Sequence, residues 1–367
     1  MTSPRYLPKP DRLRPRFPWL AVLLHAGIST LYVFGRPGYA QSEPLSYVNR
    51  GADGTCCSSG DYPDNGHDGQ WAPSDFVHQD SNQRINATAP GQTGILIDVS
   101  GGRGGNGRDS DPNHWGGNGG GGRIIDYTLA TSSVTATGRG IDLYSAGGSG
   151  GLWGNADGPH GGYGIGGDGH RAGVTLNNAT VIGTGFGVAV QSWGGAGSDS
   201  GIVGWFGGAD NAGHGGSAGE AYVSLQGGTS ITARGPGPND VSAAVGLISS
   251  GGSGGAGARS GDFGGHVDAG RGGDASTITF VSSAGSSVTG QGDGVYGVIA
   301  RSIGGNASTA NDVNTQAAAG GNAGQVNLTN GGTITTTGNR GIGIYALTQG
   351  GNGGNGVQVN GSGAVIN

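Results

Sequence analysis

"GVAVQSWGGAGSDSG", residues Gly187–Gly201, joins two kinds of sequence at one point. Its first half alternates apolar and polar residues, as a strand with one buried face does. Its second half is glycine and small residues. Five other stretches make the same join: "GILIDVSGG" (Gly94–Gly102), "GIDLYSAGG" (Gly140–Gly148), "AVGLISSGG" (Ala244–Gly252), "GVIARSIGG" (Gly297–Gly305) and "GIYALTQGG" (Gly343–Gly351). The first glycine of each pair falls at 101, 147, 194, 251, 304 and 350. A recurring period of this size signals a solenoid or a propeller.

The aligned columns decide between them. Six residues before each pair stand Ile95, Ile141, Val188, Val245, Val298 and Ile344. Four before stand Ile97, Leu143, Val190, Leu247, Ala300 and Ala346; two before stand Val99, Ser145, Ser192, Ser249, Ser302 and Thr348. Period-two columns that repeat from unit to unit bury one strand face against its own copies. Each run is preceded by a block of two short strands split by a polar turn, as in "AYVSLQGGTSITARG" (Ala221–Gly235) and "GQVNLTNGGTITTTG" (Gly324–Gly338). Three short strands per unit, stacked in register, specify an all-β fold: a right-handed parallel β-helix with long Gly-rich loops leaving one corner. A propeller blade needs a fourth strand, which the glycine tract cannot supply. The serines and threonine of the third column are placed to form hydroxyl ladders along the stack.

The repeats begin near Gly91, so the expected organisation is 1–40 signal peptide, 41–90 a poorly repeated lead-in, and 91–367 β-helix. The glycine tracts leave each rung at one point and must lie side by side on one flank, where per-repeat insertions gather. They carry Trp115, Trp153, Tyr163, Trp205, Phe206 and Phe263, the candidate partner-contact residues, with His114, His160, His170, His214 and His266. Two readings stay open for these rings: stacking on sugars or a partner surface, or packing on one another to pin the loops. A further expectation is that neighbouring tracts bond backbone to backbone, at a closeness that only glycine permits.

Arg5, Lys9, Arg12, Arg14 and Arg16 precede the apolar run "WLAVLLHAGISTLYVFG" (Trp19–Gly35), and "GYAQ" offers a cut between Ala40 and Gln41: an export signal. Residues 1–40 hold six basic residues and one acid, so the remainder carries 12 arginines against 23 acids, a net charge of −11, with no lysine. That balance excludes nucleic acid as a partner. Glycine supplies 88 of 367 residues, but no Gly-X-Y period makes a collagen. Cys56 and Cys57 are adjacent and read as a local turn constraint. No cofactor is expected. "GGNGRD" (Gly104–Asp109) and "GGAGSD" (Gly194–Asp199) touch the calcium nonapeptide pattern, but that motif works in tandem and these two stand apart. No carboxylate pair recurs on a strand face and no nucleophile elbow occurs, so no catalytic residue is assigned.

The signal ending "GYAQ" and rungs such as "VNLTNGGTITTTGNRGIGIYALTQGG" (Val326–Gly351) resemble the passenger region of a Gram-negative autotransporter, a likeness that covers about Gly94–Asn367. The resemblance implies secretion or surface display at the outer membrane, and adhesion to host or neighbouring-cell surfaces, glycans among them. It also implies an outer-membrane barrel, expected in a part beyond Asn367, since the sequence stops at "GSGAVIN". Two alternatives stay open: a free-standing glycine-rich secreted or cell-surface protein, and a polysaccharide-acting enzyme on the same fold.

Overall fold

The computed structural model describes residues 43–56, 66–107, 116–152, 164–200, 212–235, 241–257, 268–309 and 318–354, and two short strands after them. All belong to one compact unit, residues 37–367. In chain order the strands are β1 (Leu45–Val48); β2 (Phe76–Ser81), β3 (Arg84–Ala87) and β4 (Ile95–Asp98); β5 (Ile125–Ala130), β6 (Ser133–Ala136) and β7 (Ile141–Ala146); β8 (Ala172–Asn177), β9 (Thr180–Thr184) and β10 (Phe186–Trp193); β11 (Ala221–Gln226), β12 (Ser230–Arg234) and β13 (Ala243–Ser250); β14 (Ile278–Ser282), β15 (Ser287–Gln291) and β16 (Tyr296–Ile303); β17 (Val326–Asn330), β18 (Thr333–Thr337) and β19 (Ile344–Gln349). A small antiparallel pair, β20 (Gln358–Asn360) and β21 (Ala364–Ile366), follows.

Every third strand joins the same sheet. Sheet A runs β1-β4-β7-β10-β13-β16-β19, sheet B holds β2, β5, β8, β11, β14 and β17, and sheet C holds β3, β6, β9, β12, β15 and β18. All neighbours within these three sheets pair in parallel. The fold is therefore a parallel β-helix with three strands per rung, as the columns require.

The register repeats the sequence alignment residue for residue. Val188 pairs with Ile141 and Val245, and Val190 with Leu143 and Leu247. Sheet B adds Tyr127, Val174, Val223, Phe280 and Leu328 in one inward column, and sheet C adds Ile85, Val134, Val181, Ile231, Val288 and Ile334. These columns form one continuous core from Ile85 to Ala300. Each buried side chain packs on the residue one rung above and below, so β-branched and aliphatic residues that stack on their own kind fill it.

The stack starts earlier than Gly91. Leu45 pairs with Ile95 and Tyr47 with Ile97, while Phe76–Ser81 and Arg84–Ala87 pair with β5 and β6. Residues 45–87 thus supply strands of the helix, where the sequence reading placed a lead-in. The expected hydroxyl ladders also take another form. Ser145, Ser192, Ser249 and Ser302 are fully buried, and each bonds to backbone, not to the next hydroxyl. Ser249 Oγ donates to the Gly219 carbonyl at 2.9 Å and accepts the Ser276 N–H at 2.8 Å. Ser302 does the same between Ser276 and Gly324, and Ser145 between Arg123 and His170. Ser145, Ser249 and Ser302 therefore each tie two successive returning segments to the end of an A strand, and Ser192 accepts the Gly219 N–H at 2.7 Å. Ser249→Ala leaves a buried carbonyl and a buried N–H without partners. It is expected to cost about 2 kcal/mol and to speed amide exchange at Ser276 while leaving β4 and β7 unchanged; equal exchange at both places would contradict this role.

Candidate functional site

After each A strand the chain leaves the helix, runs out, and comes back to start the next B strand. The outgoing tracts are 51–55, 101–107, 147–152, 194–200, 251–257, 304–309 and 351–354; the returning ones are 66–72, 116–122, 164–169, 212–218, 268–275 and 318–323. Outgoing tracts bond to one another every third residue: Gly101, Gly104 and Gly107 donate to the carbonyls of Ala146, Ser149 and Leu152 at 2.8, 2.9 and 2.9 Å. Returning tracts repeat the pattern, with Gly119 and Gly122 donating to Ile165 and Asp168 at 2.8 Å. A three-residue period is that of an extended threefold helix, which has no internal hydrogen bonds and must bond sideways.

The two layers are sewn together by a third set. Gly102 donates to Gln70, Gly120 to Gly102, Gly148 to Gly120, Gly167 to Gly148, Gly195 to Gly167 and Gly216 to Gly195, each at 2.8 Å. The line continues through Gly252, Gly273, Gly305 and Gly321 to Gly351. The glycine loops are thus a two-layered polyglycine slab that runs the length of the solenoid. The expected backbone-to-backbone packing is present in the described residues.

Glycine is needed here for what it lacks. The glycines with positive φ, such as Gly185, Gly227 and Gly292, lie at turns and outside the slab. In the slab the constraint is distance. A Cβ on Gly252 would lie 1.9 Å from the Gly195 carbonyl oxygen, and one on Gly273 would lie 1.9 Å from that of Gly216. The repeat is Gly-Gly-X, and only X points out. On the outgoing face X is Asp53, Arg103, Ser149, Ala196, Ser253, Asn306 and Asn352 along one line. The X residue's own N–H also points away from the slab. Where the preceding rung offers an acceptor, that side chain takes it: Asp53 accepts from Arg103, Asn106 from Leu152, Asp168 from Ser217 and Asp274 from Asn322, at 2.7–2.9 Å.

The sequence-derived contact residues divide sharply. Trp115, Trp153, Tyr163, Trp205, Phe206 and Phe263, with His114, His160 and His266, lie outside the described residues, as do Ala40 and Gln41 at the expected cleavage point. All six rings occur in the segments that join an outgoing tract to its returning one. Of the five loop histidines singled out in the sequence, His170 and His214 are described. His214 Nδ1 accepts the Arg271 N–H at 2.9 Å, and the His170 ring stands 5.5 Å from that of Trp71. Asp199, the last residue of the second calcium-like match, accepts the Ala256 N–H at 2.7 Å; Asp109 of the first lies outside the described residues. Cys56 is disulfide-bonded, and the chain's one other cysteine is Cys57.

Two groupings escaped the sequence reading. In the first rung, Asp80 receives the Tyr127 hydroxyl at 3.0 Å and faces His78 Nε2 at 3.2 Å. Burial first, and then Asp80, hold the Tyr127 phenol well above the usual tyrosine range, so it stays protonated and donating. The second lies on the outer face of sheet A. Its early rungs pair each cation with an acid, Arg50 with Asp98 and Arg139 with Asp142, both at 2.8 Å. Its later rungs carry Gln191, Ile248, Arg301 and Leu347 in register. No periodicity marks either grouping, because the residue type changes from rung to rung.

No protein-family model, characterised protein or solved structure matches this chain.

Proposed function

We propose that this chain is an exported surface protein, of the autotransporter-passenger kind that its sequence resembles, and that it acts in adhesion. The observation that supports this reading is the slab. Six glycine tract pairs are locked along the whole solenoid by backbone hydrogen bonds, most of them 2.8–2.9 Å long, which is far more order than a spacer requires. Such a frame fixes the points from which the aromatic-bearing joining segments leave and return, on one flank of the solenoid. Aromatic side chains are over-represented among the residues that carry binding energy at interfaces. An excess of acids and the absence of lysine after residue 40 suit a protein that stays soluble outside the cell.

The test is a triple substitution, Trp153→Ala, Trp205→Ala and Phe263→Ala, in the full chain displayed on cells. Attachment to a second cell layer is expected to fall about tenfold or more, the loss that follows from removing even one anchor ring. Ser253→Ala, on the outgoing face of the slab, is the matched control. Attachment at the original level with the slab's amide protection intact would overturn the adhesion reading.

A further inference from the structure

The later rungs of sheet A carry a surface of unusual make-up. Phe186, Trp193, Ile248, Tyr296, Ile303 and Leu347 are all half-buried on it, and Tyr345 is 38% exposed. The Phe186 ring lies across Gly246, where a Cβ would meet it at 2.6 Å, and Tyr296 meets Tyr345 edge-on with centroids 5.9 Å apart. In the middle of this apolar strip stands Arg301, between Ile248 and Leu347.

Arg301 differs from every other half-buried arginine among the described residues. Arg123 donates to the Ala72 carbonyl, Arg139 pairs with Asp142, and Arg171 faces Asp126 and Glu220. Arg301 has no carboxylate partner among the described residues, and its Nε, like that of Arg171 beside Glu220, is enclosed without a hydrogen-bond acceptor. Trp193, two rungs earlier on the same face, also has its Nε1 enclosed without an acceptor. Enclosed donors of this kind are rare in folded proteins and call for a partner. The molecule has acids to spare, with 23 against 12 arginines after residue 40, yet it places none on the outer face of β13, β16 or β19.

We propose that this strip is a second binding site, distinct from the joining segments, for a linear polysaccharide that carries carboxylates. Arg301 takes a carboxylate in a charge-assisted hydrogen bond. The Trp193 and Tyr345 rings offer flat faces to sugar rings; the enclosed Trp193 Nε1 has no area of its own at the surface and takes no part. Arg301 and the Trp193 ring stand two rungs apart, about 10 Å along the stack. One small anion does not span that gap, whereas a polymer laid along the solenoid axis does. An acidic peptide would satisfy Arg301 equally, but the stacked aromatic rings favour a chain of flat rings.

The probe is polygalacturonate, with its fully methyl-esterified form and dextran sulfate as comparisons, measured by titration calorimetry on the intact chain. Binding is expected to polygalacturonate alone. Arg301→Gln should weaken it about tenfold or more, Arg301→Lys should weaken it less, and Trp193→Ala, which removes the ring face, should cost severalfold. Arg234→Gln, on sheet C, should leave it unchanged. Unchanged amide protection in β13, β16 and β19 separates lost contacts from lost structure. Equal binding to the methyl ester or to dextran sulfate would overturn the proposal, and so would full affinity in Arg301→Gln. The triple substitution in the joining segments should leave this binding intact, so failure of the adhesion reading and failure of this site are told apart.

Discussion

Gly252→Ala should open the slab while Ser253→Ala, one residue on, should not. Gly252 sits where three tracts meet. Its N–H donates to the Gly216 carbonyl at 2.9 Å, and its own carbonyl accepts from Gly273 at 2.8 Å. A methyl group there would lie 1.9 Å from the Gly195 carbonyl oxygen, and that neighbour is backbone, so no side chain can swing aside. Relief requires the tracts to part by more than an ångström, which ends both bonds and loosens those beside them. Two to three bonds at about 1 kcal/mol each put the loss near 3 kcal/mol. The sign is diagnostic. At a site with room, glycine to alanine stabilises by about 0.4–1 kcal/mol through the unfolded chain. Ser253 projects outward and is exposed, so its truncation should stay within about 0.5 kcal/mol. Amide exchange at Gly216, Gly252 and Gly273 is the readout, since a long solenoid does not unfold in one step. Equal protection in the two variants would mean that the tracts are not held at the distances described.

The same packing rule explains which parts of the fold were legible in the sequence. Sheet A was visible because each of its strands from β4 on ends at a Gly-Gly pair, whose first glycine, through β16, is forced by the returning tract that follows and whose second is forced by the tract one rung below. In the first rung that force is missing. Ala52, Thr55, His67 and Gln70 occupy the places of Gly102, Gly105, Gly117 and Gly120, and all four are exposed. Cβ atoms on those later glycines would meet the carbonyls of Ala52, Thr55, His67 and Gln70 at 2.0–2.4 Å. No described tract lies beneath the first rung, so nothing there demands glycine. An alignment anchored on the pair therefore overlooks β1, β2 and β3, although Leu45 and Tyr47 keep the alternation of later A strands.

The site was less legible than the fold, for a different reason. Repeats reveal what every rung must do; a binding surface depends on what single rungs do alone. Arg301 stands in a column whose other members are Val48, Asp98, Tyr144, Gln191, Ile248 and Leu347, so no pattern singles it out. Its meaning comes from the missing acid beside it, which only the register shows. The serine column was legible as a column but not as a function. Its hydroxyls were placed correctly, yet the returning segment that they hold could not be foreseen without the slab.

Phe280→Ala should loosen the end of the solenoid that follows it and spare the beginning. Phe280 is the largest side chain in the fully buried set, at 1% exposure, and it fills sheet B's inward column between Val223 and Leu328. The column reads Tyr127, Val174, Val223, Phe280, Leu328, so the ring makes up volume that two small valines leave below it. Its removal opens a cavity in a core that cannot collapse, because the backbone spacing of the rungs is fixed by their hydrogen bonds. Such truncations cost about 3–5 kcal/mol. In a stack where each rung touches only its neighbours, that loss falls on the interfaces of the altered rung. The rung after it, β17 to β19, already has half-exposed core residues, with Ile344 at 43%. It therefore has the least to spare. Exchange in β17, β18 and β19 should rise by about two orders of magnitude or more, the factor that 3 kcal/mol represents, while β5, β6 and β7 keep their protection. Phe280→Leu, which fills most of the space, should show the same pattern at a fraction of the size. A uniform loss across all rungs would mean that the solenoid and its slab unfold as one unit, with the hydrogen-bonded glycine lines coupling rungs that the core alone leaves independent.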